Sequence, residues 1–252
     1  MDKIFKAVLF SSLIFQNLFS KEKIIAHIPE ASGICYSKIS DTLFVVNDEG
    51  IIYEITTNGK ILREKNLGKY DLEGIDVDDK NRVLLLANEK KDSILVLKKD
   101  NFKIIKEIKL DRKYKKIKLL KKGGDGIEGL ALHNNKIYAA NQSNRSYPKK
   151  DSSVIVIFDY NLDKKRLKIE SVIDPLFTDI SGLTFYENNL YMISDKNSLL
   201  IGYNTKQKKI IKKYKLPKNF AQEGIAFDKK ANLYIADDKG KILRIENLKI
   251  DG

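Results

Sequence analysis

Carboxylates recur along this chain at two fixed places in a repeat. One set directly precedes a glycine: Glu73-Gly74, Glu128-Gly129 and Glu223-Gly224, with Ser32-Gly33 and Ser181-Gly182 at the same point of two further repeats. The second set stands twelve to fifteen residues later, where a hydrophobic stretch ends in Asn47-Asp48, Asn88-Glu89, Asn141-Gln142, Ser194-Asp195 and Asp237-Asp238. Carboxylates gathered at one opening repel one another unless they are protonated, bridged by lysine or bound to a cation. Oxygen ligands favour calcium or magnesium, whereas two histidines and one cysteine cannot make an ordinary zinc site. The candidate metal ligands are Glu73, Glu128, Glu223, Asp48, Glu89, Asp195 and Asp238, with calcium as the expected cofactor. A carboxylate beside such an ion can act as general base on water, and Glu128 is the candidate for that catalytic role.

The elements that must position these groups follow from the same repeat. The glycines are 41, 55, 53 and 42 residues apart, and repeats of that length built from short strands are propeller blades rather than helical solenoids. Phe44-Val45-Val46 and Ile51-Ile52-Tyr53 have the β-branched and aromatic content of strands, and Asn58-Gly59 is a hairpin turn signal. The expectation is an all-β chain forming a single β-propeller of five four-stranded blades, with six blades as the alternative. The fifth repeat is one strand short, and Lys23–Ile28 has no blade of its own, so the N-terminal strand is expected to complete the last blade and remove an open edge. Two insertions explain the longer steps, the Lys-rich Asp111–Asp125 and the polar Gln142–Asp151. The outer strand of the third blade is expected at Leu167–Val172.

Strands within a blade alternate in direction. The connection into a first strand and the connection from second to third therefore lie on one face. Both carboxylate sets then converge on the mouth of the central channel, overhung by the two insertions, while Lys98-Lys99, Lys164-Lys165-Arg166 and Lys206-Gln207-Lys208-Lys209 fall on the opposite face. Other roles stand beside ligation. The glutamates can accept hydrogen bonds from backbone amides of the next blade, and Asp48, Glu89, Asp195 and Asp238 can cap turns. The stretch Asp76–Asn81 has calcium-loop acids but no glycine at the sixth position, and fits a hairpin turn.

Lys3 and Lys6 precede the apolar run Ala7–Phe15, which continues to Ser20. We read residues 1–20 as an export signal and residues 21–252 as the propeller domain, in a periplasmic or secreted protein. An uncleaved segment anchoring the protein to the inner membrane is the alternative, and is the one route to membrane association. Removing that segment takes the net charge from +13 to +12. The lysines are scattered through turns rather than interleaved with aromatics, so no nucleic-acid partner is expected. Cys35 is the only cysteine, which excludes an intrachain disulfide, and its apolar neighbours make it a small buried hydrophobe. A monomer is expected, with a small anionic ligand or an envelope protein as partner.

The blade starts Glu30-Ala-Ser-Gly-Ile, Leu72-Glu-Gly-Ile-Asp, Gly126-Ile-Glu-Gly-Leu, Asp179-Ile-Ser-Gly-Leu and Gln222-Glu-Gly-Ile-Ala resemble those of the SdiA-regulated, YjiK/CarP-type propellers over residues 24–248. The resemblance implies a bacterial envelope protein linked in one branch to calcium regulation. Esterase-like phytase propellers are more distantly similar through the Leu-Glu-Gly-Ile stretch, as are gluconolactonase-type propellers, which hold a divalent metal at the channel mouth. The leading expectation is a propeller that binds calcium or a small ligand at its mouth. The chain has no Gly-x-Ser-x-Gly elbow and no Ser-His-Asp order. The enzymatic alternative is a metal-dependent phosphoester or lactone hydrolase, with Lys115, Lys116, Lys118, Lys121 and Lys122 clamping phosphate. A third reading is an interaction scaffold anchored by Tyr147.

Overall fold

Alternating apolar side chains and short polar turns give strands in every repeat, and the strands close into a ring of five blades. The structure, a computed structural model, describes residues 21–120, 126–246 and 248. Residues 1–20, read above as an export signal, and the stretch 121–125 lie outside the described residues. From axis to rim, blade 1 takes Ala31–Ser37, Thr42–Asn47, Ile51–Thr56 and Ile61–Asn66, and blade 2 takes Leu72–Asp78, Val83–Asn88, Ser93–Lys98 and Ile104–Leu110. Blade 3 takes Ile127–His133, Lys136–Asn141, Val154–Asp159 and Ile169–Ile173, and blade 4 takes Ile180–Tyr186, Asn189–Ser194, Leu199–Asn204 and Lys209–Lys215. Blade 5 takes Gln222–Phe227, Leu233–Asp237, Lys241–Glu246 and the N-terminal strand Lys21–His27. The expected closure is observed: Lys21 faces Glu246 and His27 faces Lys241 in an antiparallel ladder.

Burial runs from the axis outward. Thr42–Asn47 and Val83–Asn88 are buried along their whole length, whereas in the rim strand Lys209–Lys215 only Tyr214 is buried. The core consists of five apolar clusters between neighbouring blades. Phe44, Val46 and Ile52 of blade 1, for example, pack on Ile75, Leu84, Leu86 and Leu95 of blade 2. Each such side chain contributes about 1.5–3 kcal/mol when removed from water.

Every first strand carries a register shift at its glycine motif, between Ala31 and Gly33, Leu72 and Ile75, Ile127 and Gly129, Ile180 and Leu183, and Gln222 and Gly224. These glycines face the next blade at backbone contact. A methyl at Gly33 would collide with the carbonyl oxygen of Glu73, and one at Gly74 would lie 2.5 Å from the Leu130 nitrogen.

Two expectations need correction. Leu167 does not belong to the outer strand of blade 3. Arg166–Leu167 instead pairs in parallel with Lys109–Leu110 of blade 2, because Leu167 is drawn into the cluster between the two blades. The first insertion is also more than a Lys-rich loop. Lys113–Tyr114 pairs with Ile117–Lys118, and Leu119 and Leu120 beyond it are fully buried in the same cluster. Tyr147 of the second insertion, expected as a partner anchor, packs half-buried against that cluster. The stretch Asp76–Asn81 is a hairpin turn as expected, with Asp78 accepting the Asn81 amide.

Replacing Gly33 with alanine should cost about 3 kcal/mol or more, since the obstructing atom is backbone rather than a flexible side chain. Urea unfolding would measure this, and a loss below about 1 kcal/mol would show that the inner strands can part.

Candidate functional site

The two carboxylate sets are brought face to face by strand pairing. Leu72 pairs with Asn88, Ile127 with Asn141 and Gln222 with Asp237, so the residue before each glycine motif sits opposite the end of the second strand. All seven expected acids consequently stand at one end of the propeller, together with Asp71 and Asp179. Ile34, Ile75, Leu130, Leu183 and Ile225, each at most 3% exposed, follow the glycines and send one side chain into each of the five clusters between blades. A central space of about 160 Å³ is lined by Ser32, Glu128 and Glu223 together with the glycines of the five first strands.

The inner acids form a chain. Glu73 bonds Glu128, Glu128 bonds Glu89, and Glu89 Oε1 accepts the backbone N–H of Gly126 at the entry to blade 3. Burial, reinforced by the neighbouring carboxylates, holds the Glu73 and Glu128 carboxyls well above the ordinary range, Glu73 further. Glu223 is pushed up to about 9 by burial, and then by Glu128, Asp195, Asp238 and Asp179. Asp48 rises to about 6 by burial and by repulsion from Asp238, Asp71 and Glu30, partly offset by the Ser32 hydroxyl. Its Oδ1 atom is buried without a partner among the described residues. One oxygen each of Asp71, Glu73 and Glu89 lie within 4.8 Å of one another, and Asp71 is also 3.2 Å from the Lys90 ammonium.

Other members of the set act on the backbone. Asp195 Oδ1 accepts the Gln222 N–H at 2.8 Å, which links blade 4 to the entry of blade 5, and burial raises its pKa. Asp238 is exposed at the rim. In the two blades that carry serine, the hydroxyl ties the ring together: Ser32 Oγ donates to the Leu72 carbonyl at 2.5 Å and Ser181 Oγ to the Gln222 carbonyl at 2.6 Å. The amides named from the sequence hold turns. Asn47 accepts the Ile51 N–H at 2.9 Å, and Asn141 donates to the Ser152 carbonyl at 2.8 Å.

Sequence reasoning missed Asp71 and Asp179. A signal was present, since an acid stands two residues before the motif residue in three repeats, as Glu30, Asp71 and Asp179. In the two serine blades that acid is in the left-handed region, with φ 50° at Glu30 and 62° at Asp179. Of the expected phosphate clamp, Lys115 and Lys116 are exposed and Lys118 is half-buried, while Lys121 and Lys122 lie outside the described residues. His133 stacks on Phe185 at 4.0 Å, and Cys35 is buried, away from any role as nucleophile.

A carboxyl whose pKa is higher folded than unfolded carries an extra proton in the folded state. Its contribution to stability is therefore complete below the unfolded value and is lost as pH rises through the folded one. The cation-free protein should lose stability from pH 4.5 up to about 9 through Glu223, with the other mouth acids adding to the decline. Glu223→Gln should flatten that profile and raise stability at about pH 8 by about 1–3 kcal/mol. Chemical unfolding across this range checks it, and an unchanged slope in the variant would contradict the electrostatic account.

The model of the SdiA-regulated family matches residues 15–240. No curated protein gives a significant match. Among solved structures, the chain is similar to the glutaminyl cyclase of Myxococcus xanthus, with 10% identity, a TM-score of 0.65, and coverage of 90% of this chain and 94% of that one. It is also similar to a luciferin-regenerating enzyme, with 15% identity, a TM-score of 0.57, and coverage of 92% and 97%. At these identities the likeness is one of fold.

Proposed function

Because the chain belongs to the SdiA-regulated family, we propose that it is an exported envelope propeller whose acidic mouth binds a divalent cation, calcium before magnesium, or a small ligand through that cation. One observation carries the reading: Asp48, Glu73, Glu128 and Glu223 converge at the mouth, beside Glu89, with carboxyls that burial and mutual repulsion hold against ionisation. The donor set fits the ion. It is all oxygen, as hard cations prefer. Asp71, Glu73 and Glu89 offer oxygens within 4.8 Å of one another, and Asp48 Oδ1 is a buried acceptor lacking a partner among the described residues. Export rests on the basic and apolar composition of residues 1–20.

When bound, calcium would supply positive charge to offset the carboxylates of the collar and would act as a Lewis acid. The residues do the rest. Glu89 is fixed by the Gly126 N–H and ends the chain from Glu73 through Glu128, so losing one proton there is felt by three carboxyls.

A second reading, metal-dependent hydrolysis of a phosphoester or lactone, is favoured by the position of Glu128. It is a buried carboxyl between two others, with a raised affinity for protons, as suits a general base. The solved relatives bear the names of enzymes, a glutaminyl cyclase and a luciferin-regenerating enzyme, on the same fold. The scaffold reading is the weakest of the three, since Tyr147 already packs half-buried against the cluster between blades 2 and 3.

Calcium binding should raise the unfolding midpoint by on the order of 5–10 °C at a hundredfold excess over Kd. The rise should be larger at about pH 8 than at about pH 6, because the cation displaces protons. It should vanish in Glu73→Gln/Glu128→Gln. Thermal unfolding in EDTA and in rising calcium or magnesium measures this, and no shift with either cation at either pH would end the reading. Hydrolysis of phosphoester and lactone substrates with and without calcium tests the second reading. It requires a rate above buffer that Glu128→Gln abolishes.

A further inference from the structure

The end of the propeller away from the mouth carries charge of the opposite sign. Lys38 of blade 1, Lys80 of blade 2, Lys165 of blade 3, Lys206 and Lys208 of blade 4 and Lys230 of blade 5 are all exposed. Strand direction gathers them, since each lies in a connection from first to second strand or from third to fourth. Most acids at this end are already engaged. Asp79 is 2.6 Å from the buried Lys99 ammonium and Asp100 is 2.9 Å from Arg82, while Asp41 accepts the Tyr36 hydroxyl and meets Lys229 at 3.0 Å. Asp78 and Asp228 turn onto Asn81 and Asn232, and Asp159 and Glu170 share Lys136. Asp163 and Glu187 stand exposed among the lysines.

Two further features of this end are apolar. Ile39, beside Lys38, is 73% exposed, the most exposed large hydrophobic side chain among the described residues. Its turn is held by Asp79, which accepts the Ile39 N–H at 3.3 Å, and by Ser37, whose Oγ accepts the Ser40 N–H at 3.3 Å. The chain also enters the fold here, because Lys21 pairs with Glu246 at the far end of the closing strand. The sequence just before it carries Lys3, Lys6 and the apolar run 7–15.

We propose that this basic end is a docking surface for an anionic lipid bilayer, which leaves the acidic mouth facing away from the membrane. An anionic leaflet attracts lysines within a Debye length and repels carboxylates, so it would orient this molecule as well as bind it. Ile39 stands where a side chain can enter the headgroup region. Nucleic acid fits less well, since Tyr36, Phe102 and Tyr160 at this end are buried and offer no stacking platform for bases.

Co-sedimentation of the full chain with vesicles of phosphatidylcholine, alone or mixed with phosphatidylglycerol, tests the proposal. Binding should require phosphatidylglycerol and fall with salt. Lys206→Glu/Lys208→Glu should weaken it by on the order of 25-fold, about fivefold per lysine lost. Ile39→Ser should weaken it without changing its salt dependence. Lys69→Glu/Lys218→Glu makes the same charge change at exposed positions on the mouth end and should stay within about twofold of the wild type. Equal, salt-insensitive binding to neutral vesicles would assign attachment to the apolar N-terminal sequence. Equal losses in both double variants would assign it to net charge alone. Retention on duplex DNA without vesicle binding would make the partner a nucleic acid. Each of these outcomes overturns the proposal.

Discussion

Five inner strands converge on one axis so tightly that backbone meets backbone from blade to blade. Gly33 abuts the carbonyl of Glu73, Gly74 the backbone at Glu128 and Leu130, and Gly224 closes the circle against Ser32 and Gly33. No side chain fits at these points, and the register shift at each motif lets the strand bend there without losing its ladder. The residue just before the glycine is carried to the axis with it. Whatever the sequence places there, serine or glutamate, becomes part of a ring, so the arrangement of the mouth follows from how the blades close.

The two residue types solve the crowding differently. Serine is small and neutral, and in blades 1 and 4 it donates to the carbonyl of the next blade at 2.5 and 2.6 Å. Glutamate is longer and reaches the collar, where it meets other carboxylates. Glu73, Glu128 and Glu223 are held there at a cost in ionisation that a structural role does not require, since serine binds the ring together without it. That contrast within one molecule separates the groups that join blades, Ser32, Ser181 and Asp195, from the carboxyls crowded against one another at the mouth.

Charge is segregated along the axis rather than averaged over the surface. The chain is strongly basic, with a net charge of +13, yet its buried collar of acids gathers at one end, while the acids at the other end are mostly paired and leave Lys38, Lys80, Lys165, Lys206, Lys208 and Lys230 exposed. Strand alternation produces this sorting, because a repeat that ends its second strand in acid and builds its outer turns from lysine sends the two to opposite faces. The rim between them is also managed. Lysines along Lys209–Lys215 and the parallel strap Arg166–Leu167 on blade 2 discourage pairing with other chains.

Periodicity by itself determined a good deal. The recurrence of Glu-Gly and Ser-Gly fixed five blades, the missing strand of the fifth repeat fixed the closure by Lys21–His27, and alternating strand direction placed the seven acids at one end. These properties depend on local pattern and on the direction of the chain, which a sequence carries explicitly. Tertiary structure alone decided the rest. It drew Leu167 to blade 2, buried Leu119 and Leu120, packed Tyr147 half-buried against them, and linked Glu73 through Glu128 to Glu89. Such features depend on distances between residues far apart in the chain and on how much water is excluded around them. A carboxylate has the same formula whether it caps a turn or stands against its neighbours in a dry collar, and the difference lies in the surrounding packing.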